Sequence, residues 1–171
     1  MAHYCYLCGS MMEDLPIDGR VREICTNCGW IRYEQLKVSA GVMVETDGRL
    51  LLAQRGIEPW KGSWYMPAGF VEADEHPARA AEREAFEETG LQVQVDRLVK
   101  EYLFTDDPRG NGLLLIYKAS LVGGEFRPSP ETLAIGYFSA EEIEAMPLAG
   151  ACSDTAVLDW LQKKRMQNRV E

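Results

Sequence analysis

Long apolar runs are missing from this sequence. No stretch approaches the ~18 consecutive apolar residues that a membrane-spanning helix needs. An excess of positive charge is missing too: 18 Lys and Arg stand against 27 Asp and Glu, for a formal charge of −9. Gripping a nucleic-acid backbone takes clustered cations, so that class of partner is not expected. The opening MAHYCYLCGS has neither a basic leader nor an apolar core, so no signal peptide is expected there. Internal repeats and low-complexity tracts are also absent. Together these absences point to a cytoplasmic protein with no membrane partner. What is present is a chain of 171 residues, 46% apolar and 26% charged. That is the composition and length of one globular domain with a small appendage.

Cysteine is scarce but concentrated. Four of the five lie in the first 28 residues, as Cys5-Tyr-Leu-Cys8 and Cys25-Thr-Asn-Cys28, and each second cysteine precedes a glycine (Gly9, Gly29). Two thiolates at this spacing grip one metal from a tight turn, and glycine permits the positive φ such a turn needs. Two turns brought together form a closed four-sulfur site that suits structural Zn²⁺. The alternatives are two disulfides, disfavoured in a reducing compartment, or a redox pair, which would normally occur once. His3 is read as a solvated terminal residue, with a fifth-ligand role as the alternative. Residues 1–36 are therefore expected to form a zinc ribbon, with the main domain over 37–171. The ribbon holds three basic and five acidic residues, a poor nucleic-acid platform. It is expected to pack on the main domain or to assist a homodimer.

The main domain reads as mixed strands with a few helices, an α+β class. Val38–Glu45 and Arg49–Gln54 are β-rich runs joined by Thr46-Asp47-Gly48, a strong hairpin signal. An extended stretch over 64–72 leads to a helix that Pro77 opens and Gly90 closes. Strands are expected at 92–104, 113–121 and 133–138, with a hairpin tip around 107–112. Helices are expected at 141–146 and 154–166. Trp60, Trp64, Tyr102, Phe104 and Tyr117 are candidates for stacking a nucleobase or flavin, and Arg55 for meeting a phosphate; a core role is the alternative for the aromatics on strands.

The acid is concentrated as well. Residues 69–91, GFVEADEHPARAAEREAFEETGL, hold seven carboxylates and two Arg. On the expected helix Glu84, Glu87 and Glu88 stand at i, i+3 and i+4, on one face. Like charges at that spacing repel. A hard divalent cation compensates them, since Mg²⁺ prefers carboxylate oxygen; a solvated acidic face is the alternative reading. Arg83 lies four residues before Glu87 and is placed to orient it, and Glu75 in the preceding turn is within reach of Arg83. Ala78, Ala81, Ala85 and Phe86 are left for packing.

This segment resembles the Nudix box, G-x(5)-E-x(7)-R-E-U-x-E-E-x-G-U with U apolar. Gly69, Glu75, Arg83, Glu84, Glu87, Glu88 and Gly90 match, with Ala85 and Leu91 at the U positions. The resemblance spans roughly residues 38–162. It implies an α/β/α sandwich around a mixed sheet, and hydrolysis of a nucleoside diphosphate linked to another moiety, X. It further implies Mg²⁺ or Mn²⁺ held by Glu84, Glu87, Glu88 and the Gly69 carbonyl. Arg83 and Glu75 would orient those ligands. The general base varies in the family; Glu131, in Pro128-Ser-Pro-Glu-Thr132, is the candidate here and Glu88 its competitor. The zinc ribbon resembles that of two branches. The NADH and NAD-cap pyrophosphatases carry a Ser-Gln-Pro-Trp-type motif after the box, which is absent here. The segments Glu125–Leu133 and Tyr137–Ile143 look more like the ADP-ribose and FAD pyrophosphatases. A catalytically silent ribbon-bearing binding module is the rival from another class, and an intact set of carboxylates argues against it.

Overall fold

In a computed structural model, which describes residues 3–127 and 129–167, the chain forms two compact units, Met1–Gln35 and Leu36–Glu171. In the first, β1 (Glu13–Ile17), β2 (Arg20–Ile24) and β3 (Ile31–Arg32) make a small antiparallel sheet. Two turns of the same construction flank it. Gly9 N–H donates to the Cys5 carbonyl (2.9 Å) and Gly29 N–H to the Cys25 carbonyl (2.8 Å), each glycine at positive φ.

The second unit is a mixed seven-stranded sheet. Its strands are β4 (Lys37–Thr46), β5 (Arg49–Arg55), β6 (Trp64–Tyr65), β7 (Ala68–Phe70), β8 (Leu91–Phe104), β9 (Gly112–Gly124) and β10 (Thr132–Phe138), in the order β10-β5-β4-β9-β8. Strand β6 adds to β5 and β7 to β4. Only β4 and β9 among the named pairs run parallel. The β4–β5 hairpin turns on Asp47 and Gly48, both at positive φ as such a tight turn requires.

Successive side chains of a strand point to opposite faces, and here that alternation builds two cores. Val42, Val44 and Leu51 pack against Ala80, Ala81 and Ala85 of helix α1 (Pro77–Thr89). Met43, Leu50 and Leu52 face the other way, toward Ile143 of α2 (Ala140–Glu144) and Val157, Trp160 and Leu161 of α3 (Gly150–Gln167). The result is an α/β/α sandwich, as expected. Cys152 is buried in the second core.

Three local readings change. The extended stretch over 64–72 is two short strands separated by Met66-Pro67. Helix α3 begins at Gly150, four residues earlier than expected. Phe86 does not pack: it is 47% exposed, because the sheet-facing stripe of α1 is made of alanines. Lys164 and Arg165 sit in the last turn of α3, where they also pair with Glu45 and Glu144.

Candidate active site

Strand β7 and helix α1 place the acidic segment. His76 caps α1, its ring Nδ1 accepting from Ala78 N–H at 3.2 Å, and Pro77 occupies the first turn. Gly90 ends the helix at φ 76°. Across from it, Gly69 on β7 lies so close to Glu84 that a Cβ there would stand 2.1 Å from the carboxylate carbon. Only a residue without a side chain lets Glu84 lie against the sheet.

Arg83 holds the segment together. Its Nε and Nη2 donate to Glu75 (3.0 and 2.9 Å), and Nη2 also to the Phe70 carbonyl (3.0 Å). Its Nη1 donates to Glu84 (2.6 Å) and Glu87 (3.2 Å). The bond from Arg83 holds the Glu75 carboxyl below its ordinary range, while burial pushes Glu84 up. Glu88 is buried. It accepts from Tyr65 O–H (2.6 Å) and Ala68 N–H (2.9 Å), and burial raises its carboxyl to about 8.

Glu84, Glu87 and Glu88 line one cavity of about 640 Å³ together with Gly69, Glu72 and Glu131. Arg55, Arg83 and Arg109 are also in its wall. The carboxylate oxygens of Glu84, Glu87 and Glu88 are not drawn together as tightly as the helical spacing suggests. Among the described residues, the only such group with all its ligand atoms within 4.8 Å of one another is the set of four cysteines. Arg83 reaches both Glu84 and Glu87, and Glu88 is turned toward Tyr65. A hard cation still suits this wall: the donors are oxygen, and burial already disfavours the charge on Glu84 and Glu88. Glu131 opposes α1, ahead of β10, with its carbonyl accepting from Gly56 N–H at 2.7 Å.

Beside this cavity lies a second, smaller one of about 90 Å³, with Trp60, Tyr65, Phe104, Leu114 and Cys152 among its lining. Arg55 lines both, its Nε donating to the Pro59 carbonyl (2.9 Å) and its guanidinium 5.3 Å from the Tyr65 ring centre.

The NUDIX domain family model matches residues 35–161. The chain belongs to the Nudix hydrolase family. An ADP-ribose pyrophosphatase of Methanocaldococcus jannaschii is 30% identical over 133 residues, 77% of each chain. An NAD-capped RNA hydrolase NudC of Chromobacterium violaceum is 29% identical over 144 residues, 82% of this chain and 52% of that one. Across such curated relatives the chain spans from about half to about three quarters of their length. A crystal structure of a NUDIX hydrolase from Nitrosomonas europaea superposes with a TM-score of 0.80 at 28% identity, covering 95% of this chain and 92% of that one.

Within the Nudix domain three stacking candidates move out of the site: Trp64 packs edge-on against Phe138 beside the α3-side core, with ring centres 4.7 Å apart, and two tyrosines are buried. Tyr102 is buried in the α3-side core, its hydroxyl donating to Asp159 at 3.0 Å, and Tyr117 is buried on the α1 side. Tyr117 lies in the middle of β9 and Tyr102 two residues before the end of β8, and strand alternation directs both rings inward onto a helix. Trp60 and Phe104 do line the smaller cavity. The reading from sequence missed Tyr65, Asp106, Asp107 and Arg109. For the last three the only signal was a polar hairpin tip.

The first unit carries its own cluster. Cys5 and Cys28 sulfurs are 3.5 Å apart, Cys8 and Cys25 sulfurs 3.4 Å, and all four cysteines are free. Tetrahedral zinc with Zn–S near 2.3 Å separates sulfurs by about 3.8 Å, so the donor set fits that ion. His3 lies outside the cluster, with its Nδ1 at 2.5 Å from Glu23 and 2.8 Å from Arg32. Among the described residues no helix is long and apolar enough to cross a membrane.

Proposed function

We propose that this Nudix protein is a metal-dependent pyrophosphohydrolase that cleaves the diphosphate of a nucleoside diphosphate linked to X, with ADP-ribose, FAD or a similar dinucleotide as substrate. The observation that carries this reading is one continuous arrangement. A cavity walled by Glu84, Glu87, Glu88 and Glu131 shares part of its lining with a pocket walled by aromatic rings. The first suits a metal–diphosphate and the second a planar group.

Gly69 through its carbonyl, with Glu84, Glu87 and Glu88, would hold Mg²⁺ or Mn²⁺. Ions bound there offset the diphosphate charge and lower the pKa of an attacking water. The chain's own groups do the rest. Arg83 fixes Glu84 and Glu87 against Glu75, and Tyr65 with Ala68 N–H fixes the rotamer of Glu88. Glu131 is the base: among the described residues its carboxylate takes no hydrogen bond, whereas Glu88 already accepts two. It takes the proton as the water oxygen adds to one phosphorus and the bridging P–O bond breaks, leaving two monophosphates. Arg55 meets a phosphate and Trp60 stacks on the planar group. Cys5, Cys8, Cys25 and Cys28 hold a structural Zn²⁺, making residues 1–36 a zinc ribbon ahead of a catalytic domain over 37–171.

The similarity to an ADP-ribose pyrophosphatase over 77% of both chains supports this choice of X. Similarity to NAD-capped RNA hydrolases favours a second reading, NADH or NAD-cap cleavage. A hydrolysis panel of ADP-ribose, FAD, NADH, NAD-capped RNA and nucleoside triphosphates separates them. AMP with ribose 5-phosphate or FMN is expected; turnover of NADH and capped RNA alone would replace the first reading with the second.

A further inference from the structure

Four residues line both cavities: Ser39, Arg55, Ala68 and Arg109. The neck between the acidic cavity and the aromatic pocket therefore carries two guanidinium groups. Arg109 belongs to the tip of the β8–β9 hairpin, remote in sequence from the Nudix box. It is held in place from three sides. Its Nε and Nη2 donate to the two oxygens of Asp107 (2.9 and 2.7 Å), and Asp107 also accepts from Arg109 N–H (2.8 Å). Its guanidinium lies 5.0 Å from the centre of the Phe70 ring. Lys37 Nζ, itself 5.4 Å from that ring, donates to the Arg109 carbonyl. The Phe70 carbonyl in turn accepts from Arg83, so the hairpin tip and the box rest on one residue.

A guanidinium has five N–H donors in a fixed fork. Asp107 engages only part of that fork, and the side chain is 44% exposed at the cavity wall. A cation whose geometry is set before a ligand arrives loses little freedom on binding, which favours affinity. Planar N–H forks also match phosphate oxygens better than a point charge does.

We propose that Arg109 is a substrate-binding residue that, opposite Arg55 at the neck, grips a non-bridging oxygen of the substrate diphosphate, with Asp107 holding it in position. The inference rests on the diphosphate reading above and adds a contact from outside the box. It selects ligands whose diphosphate lies at the neck while the planar group enters the aromatic pocket, that is, nucleotides over bare nucleosides.

The test measures binding of ADP with Mg²⁺, and of adenosine, to the full-length protein and to Arg109→Ala and Arg109→Lys, beside steady-state kinetics on ADP-ribose. Arg109→Ala is expected to weaken ADP about tenfold to a hundredfold, the range for a hydrogen bond between charged groups. It should raise KM by a similar factor, change kcat by less than about threefold and leave adenosine binding unchanged. Arg109→Lys should recover part of the loss. An unchanged affinity for ADP overturns the proposal. So does an equal loss for ADP and adenosine, which would mean that the arginine only shapes the pocket; melting temperatures of the variants identify a fold that has failed. Arg109-dependent ADP binding by a protein that hydrolyses no diphosphate would sustain this inference while defeating the functional reading.

Discussion

Gly69 and Glu84 share one small volume, and that pair shows what single residues do here. A methyl at Gly69 would meet the Glu84 carboxylate at 2.1 Å, so one of them must move. Gly69→Ala is expected to cost about 1–3 kcal/mol of stability, the range for overpacking a filled site. It should also lower kcat at least tenfold by displacing Glu84, the metal ligand proposed above. Urea unfolding with steady-state kinetics checks both, and wild-type activity in the variant would contradict the account. Tyr65 matters for another reason. Its hydroxyl donates to a buried carboxylate, so Tyr65→Phe leaves Glu88 short of a partner. A loss of about 1–3 kcal/mol in urea unfolding is expected; no loss would show that the bond is not needed. The Arg83–Glu87 contact was legible in the sequence because four residues make one helical turn. The Tyr65–Glu88 bond was not, because it joins positions 23 apart that only the packing of α1 on the sheet brings together.

Helix α1 sits close on its sheet because Ala80, Ala81 and Ala85 face it, and that closeness brings Glu84 to Gly69. Ala85→Leu should lift the helix, costing about 1–3 kcal/mol and lowering activity with stability. A destabilised variant with full kcat would mean that the helix position does not govern the chemistry. Strands were legible where the pattern is local: the Asp47-Gly48 hairpin and the runs around it appear within two residues of expectation. The start of α3 was not. Its first turn is satisfied by Asp106 on the β8–β9 hairpin, which accepts from Ala151 N–H at 2.8 Å. A cap from 45 residues away leaves no signature in the helix's own sequence. The same hairpin hides Arg109, whose placement depends on where a loop falls after two long strands have paired.

At the scale of the whole molecule, two units rest on different physics. The second has two apolar cores, one on each face of its sheet. Among its described residues the first has a small core of Cys5, Met12 and Cys25 with Trp30 packed on it, too little to hold a fold alone, which is why the zinc proposed above would carry it. A strong zinc chelator is therefore expected to open residues 1–36 to protease while 37–171 resists; equal resistance before and after would remove the structural-zinc reading. The reaction proposed for this fold is a metal-dependent hydrolysis run by the carboxylates of α1. Its most direct measurement is ADP-ribose turnover with and without Mg²⁺, for the wild type and for Glu84→Gln, with products identified. AMP and ribose 5-phosphate are expected from the wild type only when the metal is present, with a loss of at least a hundredfold in kcat for Glu84→Gln. Turnover that persists without divalent metal, or that Glu84→Gln leaves intact, would contradict it.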